Sequence, residues 1–434
     1  MSIMTGRTTL PLRSNVSATE NEWENNAVRH QLSIALLVAG SAAISSAHAQ
    51  TATFRLIPNA LGANDMSPDG RWIVGTVDAG NCIPGGGYRY DALNDIMLML
   101  PGPGYDAYAV SDDGTVILGA MPDPATDAEI AAIWRESTNE WESLGALPLA
   151  MQCPSLSTAY ELSGDGSVAV GLSWEGCNGR GFRWTEANGM EELEVLANGS
   201  NRASVVSADG SVMAGFAQGS FDRTPAIWGA SLNGELADPP NGNVVGEFFG
   251  ISDDGSVLLG AATVEEGSNG RAVKWTSEGG FEVIGDGSVF SAWVGQAIDI
   301  ADNGTIVGFD VFLTNRQAWI QPKGEGDLQQ LRGYATGLGA EIPPGLQIEV
   351  AQAISTDGSR IIGHGFCSGG WIIDIQESPA CAADLNGDGV VDGADLASLL
   401  AAWGSTNNPA DLNGDGVVDG ADLASLLSLW NATC

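Results

Sequence analysis

Two stretches near the C-terminal end carry the residues best suited to chemistry. DLNGDGVVDGADLASLL occupies 384–400 and recurs unchanged at 411–427. In the first copy Asp384, Asn386, Asp388, Asp392 and Asp395 stand at loop positions 1, 3, 5, 9 and 12, with Gly389 at 6. Asp411, Asn413, Asp415, Asp419, Asp422 and Gly416 repeat that set. A hard cation such as calcium takes about six to eight oxygen ligands, and this spacing supplies them. Val390 and Val417, at position 7, add backbone carbonyls; Asp392 and Asp419 act directly or through water. The expectation is two calcium ions, one per loop. Val391 and Val418 follow as apolar residues expected to pack the loops together.

A helix is predicted after each loop, over 393–403 and 420–430. Leu396, Leu399 and Leu400 recur at helical spacing to form one apolar face, and Leu423, Leu426 and Leu427 mirror them. No helix is predicted before either loop, and position 12 is Asp, two departures from a calmodulin-like EF-hand. Loop plus exit helix in duplicate over 381–434 resembles a type I dockerin. The resemblance implies an all-α, calcium-folded module that docks onto a cohesin-type domain, often anchoring polysaccharide-degrading enzymes. Partner choice in that family often uses hydroxyl residues at loop positions 10 and 11; here those are Gly393-Ala394 and Gly420-Ala421. A domain this small needs staples. Cys381 and Cys434 bracket it and are expected to pair.

The long middle must position whatever the tail carries, and it is a repeat. A Ser-x-Asp-Gly turn followed by an alternating strand and Gly recurs at Ser67, Ser111, Ser163, Ser207, Ser252 and Ser355, with a degenerate copy at Ala301-Asp302-Asn303-Gly304. The turn glycines are 44, 52, 44, 45, 49 and 54 residues apart, the length of a propeller blade. Asp-Gly reads as a hairpin turn with Gly at φ > 0. A third strand carries an aromatic in each unit: Tyr90, Trp134, Trp184, Trp228, Trp275, Trp319 and Trp371. Seven four-stranded units predict a seven-bladed β-propeller. Thr53–Pro58 reads as a fourth strand without a blade, and the seventh unit stops after its third strand, so the first segment is expected to complete the last blade. Cys82 and Cys367 occupy equivalent connections in units 1 and 7 and are expected to form a closing disulfide. Cys153 and Cys177 are the other expected pair.

The Ser-x-Asp-Gly turn and the later aromatic strand, as in Ala132-Ile133-Trp134 and Ala272-Val273-Lys274-Trp275, resemble the HAF family of extracellular propeller repeats over about 53–374. That resemblance implies no enzymatic activity. The fold class is therefore mainly β: a seven-bladed propeller with a small C-terminal all-α calcium-binding domain.

Within the repeat, one Asp per turn cannot fill a calcium shell, so the turn Asp and Ser are expected to cap their own backbone. The aromatic row is expected to be inter-blade core. Out-of-phase aromatics (Trp72, Trp141, Trp174, Trp293, Phe248, Phe249) are the better candidates for stacking a ligand. Of three His, only His364 lies outside the N-terminal segment. That excludes a His-based zinc site and confines any Ser-His-Asp triad to one position. A carboxylate pair for glycoside hydrolysis needs no His and stays open.

Net charge is −37, with 17 Lys plus Arg against 54 Asp plus Glu. Such a field repels nucleic acid and anionic lipid. Residues 32–44, LSIALLVAGSAAI, followed by Ala47-His48-Ala49, read as a secretory signal cleaved after Ala49, too short for a membrane span. Residues 1–27 read as an over-called start, with Val28 a possible initiator. The expected organisation is a signal region over 1–49, a propeller over 51–375, a linker over 376–380 and the dockerin-like domain over 381–434. The expected function is a secreted, non-catalytic propeller that binds a glycan or protein and is anchored by its tail. The alternatives are a polysaccharide-active glycoside hydrolase or accessory protein, and a structural matrix or surface protein.

Overall fold

The computed structural model describes residues 50–433 except 103–105, 149–152, 154, 220–221, 238–243, 265–269, 290–293, 378–381 and 407. Seven four-stranded antiparallel sheets follow one another along the chain. Six are built in sequence order from residues 60–99, 107–143, 157–192, 201–236, 245–283 and 294–330. In the seventh, the strands of residues 350–377 are joined on the outside by Gln50–Leu56, which pairs with Gly369–Glu377 from Gln50↔Glu377 to Leu56↔Trp371. The chain thus closes its own ring, as the phase of the repeat predicts. The closing strand and its partner run to Gln50 and Glu377, slightly beyond the expected boundaries of 51 and 375.

Each turn forms as its residues dictate. In blade 3, Ser163 Oγ donates to Asp165 Oδ1 at 2.9 Å and accepts from Val168 N at 2.9 Å, while Asp165 also accepts from Ser167 N. Gly166 takes φ 73° between them. The same bonds recur at Ser67, Ser111, Ser207, Ser252 and Ser355. Blade 6 departs for a physical reason. Its strands pair Ile300↔Ile306, six residues apart, where blade 3 pairs Leu162↔Ala169, seven apart. Ala301 N accordingly bonds Thr305 O, four residues on, where Ser163 N bonds Val168 O, five on.

Between blades the aromatic row is core. Tyr90, Trp134, Trp228, Trp319 and Trp371 are buried to within about a hundredth of their surface, and Trp184 is also buried. Trp275 is partly buried against the cluster holding Phe248. Ring closure adds its own ties. Arg360 Nη1 of blade 7 donates to Gly70 O of blade 1 at 2.6 Å, and Cys82 is bonded to Cys367 across the same seam. The second expected disulfide, Cys153–Cys177, is also formed. A helix in the connection from blade 6 to blade 7, α1 (Leu331–Gly337), clasps the closing strand. Leu338 O accepts from Ala52 N, and Tyr334 donates to Gln50 Oε1 at 3.0 Å.

The C-terminal residues form α2 (Gly393–Ala401) and α3 (Gly420–Ser428), shorter than expected by about half a turn. Ala383, Val391, Leu399, Ala410, Val418 and Leu426 share one core. No helix among the described residues is long and apolar enough to cross a membrane.

Candidate functional site

The duplicated loops are wound by their own carboxylates. Asp384 accepts from Gly387, Asp388 and Gly389 N–H, and Asp388 Oδ1 accepts from Val390 N. Gly389 takes φ 89° and Gly416 φ 96°, the left-handed turn required at loop position 6. Asp395, fully buried, reaches back to accept from Asn386 N at 3.0 Å and Asp392 N at 2.7 Å. Asp392 in turn caps α2 by accepting from Ala394 N at 2.8 Å, so it works as an N-cap, with Asp395 completing a capping box. Asp411, Asp415, Asp419 and Asp422 repeat these roles around Asn413 and Val417, except that Asp411 accepts from Gly414 and Gly416 alone. The amide of Asn386 faces Asp388, and that of Asn413 faces Asp415.

The ligand set expected from spacing is therefore gathered in each loop, all of it oxygen-bearing, which is the donor chemistry a hard cation takes. Among the described residues, however, no three His, Cys, Asp or Glu side chains converge as a ready metal cage; the carboxylates are turned onto the loop N–H groups. Cys381 and Cys434 lie outside the described residues, so the expected pairing between them does too.

The two units meet across a pseudo-twofold. Val391 N bonds Ala432 O and Asn431 N bonds Val391 O; Gly404 N bonds Val418 O and Val418 N bonds Ser405 O. Each loop thus pairs its backbone with the segment after the other unit's helix, while the Val391 and Val418 side chains pack in the common core as expected. Leu400 and Leu427, expected in the apolar face, are half exposed, as are Trp403 and Trp430. Gly393, Ala394, Gly420 and Ala421 sit in the first turns of α2 and α3.

A second constellation lies where sequence reasoning did not look. The inner strands of the blades surround a central cavity of about 150 Å³ lined from all seven of them. Every inner strand breaks register at the same point, between Ala63/Asp65, Ala107/Ala109, Ala159/Glu161, Ala203/Val205, Phe248/Gly250, Ala297/Asp299 and Ala351/Ala353. The extra residues of these β-bulges are Asn64, Tyr108, Tyr160, Ser204, Phe249, Ile298 and Gln352, and bulges re-aim side chains. In three blades the next residue is an acid: Asp65, Glu161 and Asp299.

Asp65 Oδ2 accepts from Val110 N of the next blade at 2.8 Å, and Asp299 Oδ2 accepts from Ile354 N of the next at 2.8 Å. Burial pushes Asp65 and Asp299 each up to about 7, against the pull of these N–H donors. Glu161 is raised well above its ordinary value by burial, with Asp65 and Asp299 adding repulsion. Asp112, in the turn of blade 2, is raised by burial and then by Asp253. Among the described residues, no Lys, Arg or His lines the cavity. Two bases of blade 4 are committed: Arg202 of its inner strand and Arg223 of its third strand both pair with buried Glu247, and Arg202 stacks on Tyr160 at 4.4 Å.

The aromatic ligand candidates fare unevenly. Phe248 is fully buried core. Trp72 is covered by Arg71 at 4.4 Å and Arg89 at 4.5 Å, and Trp141 donates to Pro101 O at 2.9 Å. Both serve packing. Trp174 is half-buried on the second strand of blade 3. Trp293 lies outside the described residues. Among the described candidates, Phe249 alone lines the cavity. His364 meets the Ala63 carbonyl through Nδ1 at 3.4 Å, and burial lowers its pKa. Its polar neighbour is backbone, so it has no triad geometry. The channel acids had one legible signal, their place two residues before the turn Ser or its Ala301 equivalent.

Neither a protein-family model nor a curated protein matches the chain. Solved structures do. TolB from Acinetobacter baumannii is 18% identical with a TM-score of 0.37, over 50% of this chain and 52% of TolB, so the match spans about half of that protein. Oligogalacturonate lyase in complex with manganese is 13% identical with a TM-score of 0.49, over 76% and 92%. The Vibrio parahaemolyticus oligogalacturonate lyase is 12% identical with a TM-score of 0.48, over 75% and 91%. Likenesses this distant carry no argument about activity. The seven-bladed architecture stands on the chain's own strand pairing.

Proposed function

We propose that this is a secreted, non-catalytic binding protein. Its propeller presents a ligand face to a glycan or protein, and its C-terminal module is a calcium-dependent, dockerin-like anchor for a cohesin-type partner. The observation that carries the anchor is the pair of identical loop–helix units sharing one core across a pseudo-twofold. In this reading Asp384, Asn386, Asp388, Val390, Asp392 and Asp395 hold one calcium ion, and Asp411, Asn413, Asp415, Val417, Asp419 and Asp422 the other. Calcium would neutralise carboxylates crowded into one small module. Gly393, Ala394, Gly420 and Ala421 are the proposed partner-facing positions. Export is supported by two disulfides, which persist in oxidising compartments.

Calorimetry of the full chain tests the calcium role. Two ions, each at about 100 times Kd, add about 5 kcal/mol to the module. A chelator should therefore lower its transition and leave the propeller's unmoved; a module transition indifferent to chelator refutes the calcium role. Calcium-dependent capture of a cohesin-type domain, lost on combining Ala394→Arg with Ala421→Arg, tests the partner.

One observation favours a second reading, a polysaccharide-active hydrolase. Asp65, Glu161 and Asp299 are carboxyls raised inside a cavity, the condition of a general acid. Release of reducing ends from a polysaccharide panel, abolished by Glu161→Gln, would support it; no release refutes it.

A further inference from the structure

The bulge position is one of the places in the inner strands where the repeat does not repeat. The preceding residue is Ala in six blades and Phe in the other, and the turn Ser follows in six. The bulge residue itself changes from blade to blade, and it is uncharged in all seven. Four of these residues, Asn64, Phe249, Ile298 and Gln352, line the central cavity. Asn64 is committed to the Ala107 carbonyl at 2.8 Å. Gln352 is half-buried and makes no side-chain hydrogen bond to another described residue. A side-chain amide held at a cavity with its donors and acceptor unspent is available to a polar ligand.

The remaining lining fixes what kind of ligand. Among its described lining residues no Lys, Arg or His pairs with an anion, and the carboxyls of Asp65, Glu161 and Asp299 supply no positive charge. The same carboxyls accept from hydroxyl groups, Gln352 gives and accepts, and Phe249 offers an apolar face. Aromatic face, amide and carboxyl oxygens together suit a polyhydroxylated ring. The cavity of about 150 Å³ has room for on the order of ten waters, the scale of one hexose unit.

We propose that the central cavity is the propeller's glycan site, that Gln352 and Phe249 read the ligand there, and that it takes the end of a neutral sugar chain and excludes uronate-bearing ones. This rests on the reading of the propeller as a glycan-binding domain.

The test is calorimetric titration of the full chain, from residue 50 and with calcium present, against neutral gluco-, xylo- and manno-oligosaccharides and against oligogalacturonate. A neutral oligosaccharide should bind, Gln352→Ala and Phe249→Ala should each weaken it at least tenfold, and oligogalacturonate should give no heat. Gln352→Glu, which keeps the side chain's shape, guards against misfolding and should weaken binding as well. Neutral binding that survives all three variants removes the site but leaves the glycan reading standing. Binding of oligogalacturonate overturns the exclusion. Silence across the whole sugar panel overturns the inference and the glycan reading together.

Discussion

Ser163 shows how much one hydroxyl does here. It accepts from Val168 N, donates to Asp165, and is fully buried. Ser163→Ala leaves the Val168 N–H without that partner and should cost about 1–2 kcal/mol, read as a lower propeller transition. Ala301→Ser should gain nothing, because blade 6 pairs its strands one residue closer and lacks the register in which that hydroxyl caps a strand N–H. The channel carboxyls act in the opposite sense. Asp65 and Asp299 rise from an ordinary 3.8 to about 7 on folding. A carboxyl raised on folding stabilises fully below its unfolded value and loses that contribution as pH climbs through its folded value. The propeller's midpoint should therefore fall by roughly 5 °C between pH 5 and pH 8, and Glu161→Gln should shrink the fall. A flat profile would show that these carboxyls ionise freely in the fold. The turn residues were legible in the sequence because their partners lie within five residues. The cavity acids were legible only by their place two residues before the turn; that Asp65, Glu161 and Asp299 line one cavity shows only when the ring closes.

At the level of elements, blade number and order followed from the spacing of the turns, and the borrowed outer strand from the phase of the repeat. The bulges did not. Ala-Asn-Asp-Met and Ala-Tyr-Ala-Val carry no Gly or Pro to mark an extra residue, and pairing with the second strand is what exposes it. The exit helices were legible in position but not in facing. Leu399 and Leu426 are buried, whereas Leu400 and Leu427 turn outward, since two short helices have too little partner surface to cover a wide apolar face. The seam between blades 7 and 1 invites a direct test. It joins residues 285 apart through Cys82–Cys367. Removing both cysteines as Cys82→Ala with Cys367→Ala should cost about 2–5 kcal/mol in the propeller's unfolding and leave the C-terminal module's transition in place. An unchanged propeller would mean that the closing strand alone secures the ring.

Across the whole molecule, the sequence divides its labour cleanly: a repeat that makes a ring, and a duplication that makes a small paired module. The route between them begins at Glu377, the end of the strand that pairs with Gln50. This strand is no edge. It is flanked by Gln50–Leu56 on one side and Arg360–Gly365 on the other. If the C-terminal module is held while the propeller is dragged by flow or by a bound chain, tension enters along this strand. Its ladders on both sides are then loaded in shear together, instead of parting one rung at a time as in a peeled hairpin. The chain's closure is thereby also its mechanical anchorage, and single-molecule pulling from the C-terminus should find blade 7 resisting higher force than the same propeller lacking residues 50–56.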